Sequence, residues 1–312
     1  MSSQSSPARS SRSWRRSDAA VIRALAASRL TQLALLVLLL CVLAAVLAPW
    51  VAPQNPFSSA DLDLLDAFTP PGEQGISGQR YWLGADDQGR DVLSAIVYGL
   101  RMSVLVGLAA VAVSMLIGVG LGLLAGYAGG WIDALIMRLA DVQLTFPVLL
   151  VALLIFGITR SVLPEAYRDE AAAYIIILAI ALSDWVQYAR TVRGAVMVEK
   201  QKDYVAAAQL IGRSRIGIAF FHVLPNILAP VLVIGTISFA LAIVTESTLS
   251  YLGVGLPPTQ PSLGTLIRIG QGFLFSGEWW ILLFPSLMLL ALALSVNLVG
   301  DWLRDATNPR LS

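Results

Sequence analysis

Six long apolar stretches constrain the fold of this chain more than any other feature of its sequence. A helix needs about 20 apolar residues to cross a hydrocarbon core about 30 Å thick, and each stretch reaches about that length. The stretches cover residues 33–51, 104–126, 136–158, 171–189, 227–250 and 280–300. Apolar and polar residues do not alternate within them, as they would in the strands of a membrane β-barrel. We therefore predict an all-α polytopic membrane protein with six transmembrane helices.

The composition excludes several other classes of protein. Of the 312 residues, 57% are hydrophobic and 13% are charged, whereas soluble domains carry about 25% charged residues and disordered chains are poor in apolar ones. A single cysteine, Cys41, cannot form a disulfide framework, and a single histidine, His222, leaves mostly carboxylates for any metal site. The net charge of +1 gives no overall attraction to nucleic acid. We expect neither a bound metal nor a nucleic-acid partner.

The first apolar stretch follows a run of arginines, as the core of a secretory signal peptide would. It is longer than a usual signal core and is followed by no clear small-residue cleavage site, so we predict a retained helix.

With both termini in the cytoplasm, most of the 21 Lys and Arg residues fall on the cytoplasmic side, as the positive-inside rule requires. The chain then divides into a disordered basic cytoplasmic tail (1–30), a first transmembrane helix (31–51), an extracytoplasmic loop (52–102), a transmembrane core (103–300) containing a cytoplasmic loop (190–226), and a cytoplasmic C-terminal tail (301–312).

The second apolar stretch contains glycines at four-residue spacing, Gly118, Gly122 and Gly126. Glycines so spaced line one helix face and let another helix backbone approach closely in lipid. The letters GLGLLA from Gly120 also fit a dinucleotide-binding pattern, but that pattern requires a strand before it and a helix that opens at it. We therefore predict that the glycines serve helix packing.

Two acidic side chains lie within the apolar stretches and need an explanation. Glu246 is near the outer end of the fifth stretch, where exposure of a carboxyl group to lipid is costly. It is expected to face protein or a water-filled cavity, so a structural role and a role in a translocation pathway both stay open. Asp141 follows Arg138 by three residues, so the two side chains can pair on one helix face; a structural role and a pathway role stay open for Asp141 as well.

The cytoplasmic loop 190–226 is the most informative segment of the chain. Strong helix formers occupy residues 196–210, Gly212 offers a positive φ that would end a helix, and an apolar segment then runs to Pro225. We predict two short helices joined at the glycine. The basic residues around them would suit a membrane-surface anchor, but the small side chains of residues 206–208 favour docking against a partner protein. A lone His222 is expected to form hydrogen bonds in this loop rather than to bind a metal.

These residues resemble a known family. The segment DYVAAAQLIGRSRIGIAFFHVLPN is similar to the EAA loop of permease subunits in ATP-binding-cassette importers, whose pattern is E-A-A-x3-G-x9-I-x-L-P. Ala206 replaces the glutamate of that pattern and His222 replaces its isoleucine; the ending His-x-Leu-Pro-Asn is typical of the dipeptide/oligopeptide branch. The matching positions are Ala207, Ala208, Gly212, Leu224 and Pro225.

Further segments resemble the C-type permease subunit of the same branch. They are WLGADDQGRDVLSAIVYGLRMSVLVGL, MRLADVQLTFPVLL, ESTLSYLGVGLPP, which includes Glu246, and GDWLRDATNPR. Leu263, Ala306 and Asn308 depart from the usual residues. The resemblance extends from about residue 25 to residue 310. Arg90, between acidic residues in the first of these segments, would either contact a partner or form salt bridges within its loop.

The resemblance implies the transmembrane domain of a type I importer, located in the bacterial cytoplasmic membrane. Its implied partners are a homologous second permease, one or two kinds of cytoplasmic ATPase, an extracytoplasmic solute-binding protein and membrane lipid. The chain contains no G-x-x-x-x-G-K-[ST] loop, so it is expected to be non-catalytic and to bind no cofactor, with ATP and Mg²⁺ held by the ATPases. The residues that the resemblance assigns to ATPase coupling are Asp203, Tyr204, Ala207, Ala208, Gly212, His222, Leu224 and Pro225.

Three functions remain to be compared. The resemblance implies uptake of dipeptides or oligopeptides, with nickel or another small solute as the alternative substrate for the same kind of permease. An ATP-independent secondary carrier would predict charges or breaks in several helices, and a membrane-embedded enzyme would need paired catalytic groups. Neither of these two explains the cytoplasmic loop.

Overall fold

The computed structural model describes residues 28–56 and 62–307, so most of the tail predicted at 1–30 and the last residues of the predicted C-terminal tail lie outside the described residues. Within the described ranges the chain is helical, with two isolated β-bridges. The helices are α1 (Arg29–Val46), α2 (Ala48–Val51), α3 (Val92–Ala128), α4 (Gly130–Leu144), α5 (Val148–Val162), α6 (Glu165–Glu199), α7 (Asp203–Leu210), α8 (Arg215–Ile218), α9 (Leu224–Tyr251), α10 (Leu263–Gln271) and α11 (Trp280–Thr307).

Five helical runs are long and apolar enough to cross a bilayer, and the pair α4–α5 gives a sixth crossing when it is counted as one span. The runs are Arg29–Val46, Val92–Ala128, Glu165–Glu199, Arg215–Tyr251 and Trp280–Ala306. The all-α membrane class predicted from the apolar stretches is therefore confirmed. α3 begins at Val92, so the end of the predicted loop 52–102 is helical.

The third apolar stretch is not one straight helix, and the hydropathy pattern did not predict its break. α4 ends at Leu144, α5 begins at Val148, and their axes differ by 99°. Pro147 has no amide hydrogen to donate and disfavours helical φ and ψ angles in Phe146, the residue before it. The chain therefore leaves the helix at this point and starts a new one in another direction.

α4 is attached to α6 by charged and polar side chains. Arg193 pairs with Asp133, and Arg190 pairs with Asp141. Asp141 therefore pairs with Arg190 of α6 and not with Arg138, the pairing that the sequence spacing allowed. Further along, the Gln143 amide donates to the Leu182 carbonyl at 2.7 Å. These contacts fix α4 on α6. α5 packs on α6 through Ala152 and Phe156, and most of its other residues are exposed.

The most extensive contact between helices within residues 28–56 and 62–307 joins α3 to α6. Gly118, Gly122 and Gly126 lie on the α3 face that meets α6. A Cβ built on Gly118 would lie 2.6 Å from the Trp185 carbonyl oxygen, and one built on Gly126 would lie 2.9 Å from the Arg193 carbonyl oxygen. Glycine lets the two backbones meet at a distance that any side chain would prevent.

Residues 62–91 and the ends of several helices form a buried polar cluster at the predicted outer side. Asp91 caps α3 by accepting from the Ser94 amide at 2.8 Å. The Arg90 guanidinium lies 2.8 Å from the Asp86 carboxylate, and it also donates to the Pro258 carbonyl at 3.2 Å. Both side chains of the ion pair are almost fully buried. Arg90 therefore forms a salt bridge within the loop, one of the two alternatives left open by the sequence.

The hydrogen bonds of Asp66 make the stability of this loop depend on pH. Burial alone would raise the pKa of Asp66, but hydrogen bonds from the Ser77 amide and hydroxyl and from the Tyr81 hydroxyl outweigh burial and lower it. A carboxyl group with a lowered pKa stabilises the fold above the ordinary aspartate pKa of about 3.9 and loses that contribution as the pH falls below it.

We expect Asp66→Asn to remove this pH dependence. The melting temperature of the detergent-purified protein should fall between pH 5 and pH 3 in the wild type, and it should fall less in the variant, because the variant has no carboxylate to protonate at this site. Thermal unfolding followed by circular dichroism measures both differences. An equal fall in the two proteins would contradict the role assigned to Asp66.

Candidate coupling surface

The segment from residue 200 to residue 226 joins the ends of α6 and α9 at the side predicted to be cytoplasmic. α6 ends at Glu199, and a short break precedes α7, so the helix formers at 196–210 belong to two helices. After α7, the short helix α8 continues through the π-helical turn Ala219–Val223 into α9. The second predicted short helix therefore does not end at Pro225: the π-helical turn lies just before the proline, and the run continues through it as α9.

One face of α7 anchors it to the membrane helices. Val205 and Ala208 are buried in an apolar cluster with Val196 of α6 and with Val223 and Ile227 of the α8–α9 run. Leu224 packs against the same cluster. Val205 and Ala208 are three residues apart and therefore share a helix face, so α7 is fixed in its rotation about its own axis.

A hydrogen-bonded group beneath α7 connects the two ends of the segment. The Tyr204 hydroxyl donates to the Glu199 carboxylate at 2.8 Å, and the Lys202 ammonium lies 2.8 Å from the same carboxylate. The Asn226 amide donates to the His222 carbonyl at 2.7 Å and to the Tyr204 hydroxyl at 3.3 Å. Burial and the hydrogen bond to Glu199 raise the pKa of Tyr204, so its hydroxyl stays protonated and available as a donor. These contacts therefore tie the segment to the ends of both α6 and α9.

The opposite face of α7 and the turn after it are exposed. Ala206 and Ala207 are exposed on the helix, and Leu210 and Ile211 at its end are 90% and 81% exposed. Asp203 is exposed in the first turn, where a negative charge is favourable beside the helix N-terminus. Small side chains followed by two exposed aliphatic ones form an exposed apolar surface, and exposed apolar surfaces often mark binding sites for a partner. We call residues 203–212 the coupling surface.

Gly212 ends this surface in the left-handed conformation expected from its position. Its φ is +82°, and the Arg213 amide donates back to the Ala208 carbonyl at 3.2 Å, which closes the end of α7. No atom lies within 4 Å of a Cβ built on Gly212. The requirement for glycine here is therefore conformational and not steric.

We expect Gly212→Ala to destabilise the end of α7 by about 1–2 kcal/mol, because an L side chain strains a left-handed residue. Gly212→Asn should cost less, since asparagine tolerates this conformation better. Gly194→Ala is the matched control: this helical glycine also has open space at its Cβ, and alanine is favoured in a helix. Hydrogen exchange of the 203–213 amides measures the effect. Equal protection in Gly212→Ala and the wild type would contradict it.

The structure places the remaining predicted residues as follows. The hydrogen bonds at His222 are made by its main-chain carbonyl, whereas Nδ1 of its ring is buried with no hydrogen-bond partner among the described residues.

Glu246 lies apart from the coupling surface and is fully buried. Its carboxylate accepts from Ser103 of α3 at 2.9 Å and from Ser250 of its own helix at 2.7 Å. Glu246 therefore faces protein and ties α9 to α3.

Sequence reasoning missed two acidic residues near these sites. Glu199 ends α6 and holds Tyr204 and Lys202. Asp184 lies inside the predicted span 171–189 and is half-buried. The signal for Asp184 was present, because an ionisable residue within a transmembrane segment marks a functional site by default.

Comparison with known proteins adds the family. The family described as "binding-protein-dependent transport system inner membrane component" matches residues 118–312. The di/tripeptide transport system permease protein of Pseudomonas aeruginosa is 40% identical over 277 residues, which cover 89% of this chain and 87% of that protein. The chain belongs to this permease family. The oligopeptide transport system permease protein of Bacillus subtilis is 34% identical over 284 residues, 91% of this permease and 87% of its relative. The glutathione transport system permease protein of Pectobacterium atrosepticum is 34% identical over 276 residues, 88% and 85% of the two chains.

The family membership and the fold agree. The permease is a multi-pass protein of the inner membrane and has the transmembrane domain of a type I ABC importer. It is one membrane component of a binding-protein-dependent transport system, and its relatives are transport subunits. An ABC permease is thereby favoured over a secondary carrier.

Proposed function

We propose that this permease forms half of the translocation path of an ATP-driven importer of dipeptides or oligopeptides. The exposed, rigidly anchored coupling surface carries this proposal, because an exposed apolar surface tied to two membrane helices can transmit the motion of a cytoplasmic partner. The relatives named for di/tripeptides, oligopeptides and glutathione all handle peptides, which favours peptide over nickel as the substrate.

The coupling surface, in this proposal, inserts into a groove on a cytoplasmic ATPase. Val205 and Ala208 hold its buried side, and Tyr204 and Asn226 connect it to α6 and α9. When the ATPases close on ATP, the surface moves with them, and α6 and α9 reorient to open the path alternately to each side. Asp203, Ala207 and Gly212 act in docking, whereas Leu224, Pro225 and His222 belong to the helical run that receives the motion.

The proposal includes the remaining parts of such an importer. A homologous second permease forms the other half of the path, and an extracytoplasmic solute-binding protein delivers the substrate at the outer loops. ATP and Mg²⁺ bind to the ATPases, and this chain is non-catalytic and holds no cofactor. Both termini of the chain lie in the cytoplasm, which puts the coupling surface on the side where ATP is available.

Affinity purification of the tagged permease from its native membrane in mild detergent tests the proposal. Mass spectrometry should identify a second permease and one or two ATPases in the purified complex. A deletion strain that lacks the permease should lose uptake of labelled dipeptides and recover it with the gene restored. Purification of the permease without any ATPase, together with unchanged peptide uptake in the deletion strain, would contradict the proposal.

A further inference from the structure

α6 carries a polar stripe on one face. Asp184, Gln187 and Thr191 are spaced by three and four residues and therefore lie on the same side of the helix. All three are half-buried and thus reach the surface of the isolated chain. Gln187 connects the stripe to α9, because its amide nitrogen lies 2.5 Å from a carboxylate oxygen of Asp184 and 3.0 Å from the Ser238 hydroxyl.

The stripe lies at the depth of the hydrocarbon core. The apolar part of α6 covers residues 171–189, so Asp184 is displaced from its centre by about 6 Å at a rise of 1.5 Å per residue. The core extends about 15 Å to either side of the membrane centre. Lipid cannot solvate a carboxylate at this depth, and such residues face a bundle interior or a water-filled cavity.

Asp184 differs from the other acidic residues near α6. Asp133 and Asp141 on α4 are each paired with an arginine of α6. Asp184 forms no salt bridge with any residue in the described ranges. Its carboxylate accepts hydrogen bonds from neutral groups, the Gln187 amide at 2.5 Å and the Ser238 hydroxyl. No cation among the residues that the structure describes therefore neutralises the charge of Asp184.

Side chains exposed on α3 within its apolar stretch differ from this stripe. Leu108, Leu116 and Leu124 are 50%, 75% and 49% exposed. Leucine is stable in contact with lipid, whereas the stripe on α6 is polar.

We propose that the face of α6 with Asp184, Gln187 and Thr191 lines the aqueous translocation path, and that Asp184 binds the ammonium group of a passing solute. The ammonium group is that of a lysine side chain in a transported peptide, so the second part rests on the proposed function. Gln187 orients the carboxylate, and Ser238 holds Gln187 from α9. Because the contact joins two helices that the coupling surface moves, the site would change shape during transport.

Chemical accessibility tests the first part. The chain has a single native cysteine, Cys41, which is buried, and it can be replaced by alanine. In that background, Asp184→Cys and Leu116→Cys are each assembled into the complete importer and exposed to a membrane-impermeant cationic methanethiosulfonate. The intact mass of the permease then reports labelling, whatever cysteines the partner subunits contain.

The reagent reacts with the thiolate, which needs water to form, so Asp184→Cys should be labelled at least about tenfold faster than Leu116→Cys. Labelling should also change when the importer is trapped with ATP. If Asp184→Cys is labelled as slowly as Leu116→Cys in both states, the face does not line the path and the inference is wrong.

Uptake of charged peptides tests the second part. Asp184→Asn and wild-type importers are compared with a lysine-containing and a glutamate-containing dipeptide. The same binding protein serves both importers, so its own selectivity cancels in the ratio of variant to wild-type rates. The loss of one charged hydrogen bond predicts about a tenfold larger decrease for the cationic peptide, and Asp184→Glu should restore the wild-type ratio.

Equal decreases for the two peptides would overturn the assignment of Asp184 as an ammonium site. Absence of peptide uptake by the wild-type importer would instead contradict the proposed function, and the labelling experiment would still show whether this face of α6 meets water. The two failures are therefore distinguishable.

Discussion

Gly122→Ala should strongly reduce the amount of folded permease, whereas Gly120→Ala, two residues away on the same helix, should leave it unchanged. A Cβ on Gly122 would lie 2.5 Å from the Ala189 carbonyl oxygen and 2.8 Å from the Val192 Cβ. Backbone and Cβ atoms cannot rotate away, so α3 and α6 would have to separate. Overpacking of this kind costs about 1–3 kcal/mol, and here it affects the largest helix contact in residues 28–56 and 62–307.

Gly120 is the control because the substitution is identical and the surroundings are not. No atom lies within 4 Å of a Cβ on Gly120, and alanine is favoured over glycine within a helix. Fluorescence-detected size-exclusion chromatography after heating gives the melting temperature of each variant in detergent. A melting temperature for Gly122→Ala equal to that of Gly120→Ala would contradict the close approach of α3 and α6.

Ala207→Arg should abolish ATP-driven uptake without unfolding the permease. Ala207 is exposed on α7 beside the buried Ala208, so a large side chain there meets solvent in the free chain. In the importer it would meet the wall of the ATPase groove. Disruption of a central interface residue commonly costs 2 kcal/mol or more, and we expect uptake and co-purification of the ATPase to fall by at least about tenfold.

Ala166→Arg is the matched control for this experiment. Ala166 is also an exposed alanine on a helix, but it lies at the opposite end of α6 from the coupling surface. Thermal stability should be unchanged in both variants, and ATPase binding should be lost only in Ala207→Arg. Retention of the ATPase by a folded Ala207→Arg permease would show that α7 is not the docking element.

Hydropathy predicted the class of fold because the length of an apolar run is set by the thickness of the bilayer. It did not predict the bend between α4 and α5, because the average over the window conceals a single proline, Pro147, whose effect on the backbone is local. The opposite error occurred at Pro225. A π-helical turn precedes this proline, and the run from Arg215 to Tyr251 continues through it.

Side-chain partners were harder to predict than helices. The spacing of Arg138 and Asp141 suggested a pair on one helix, but α6 brings Arg190 to Asp141 from a distant part of the sequence. The positive φ of Gly212 was predictable because it depends on local chain conformation. The contacts of Asp184 and Glu246 depend on which helices pack against each other, and the hydropathy pattern does not show which helices are neighbours in space.

ATP-driven uptake by the purified complex tests the central claim most directly. The permease, its second permease, the ATPases and the solute-binding protein are reconstituted into liposomes, and accumulation of a radiolabelled dipeptide is measured with ATP supplied on the side of the coupling surface. The account predicts accumulation against a gradient that requires ATP and is lost in Ala207→Arg. Equal uptake without ATP by liposomes that contain the permease alone would contradict it.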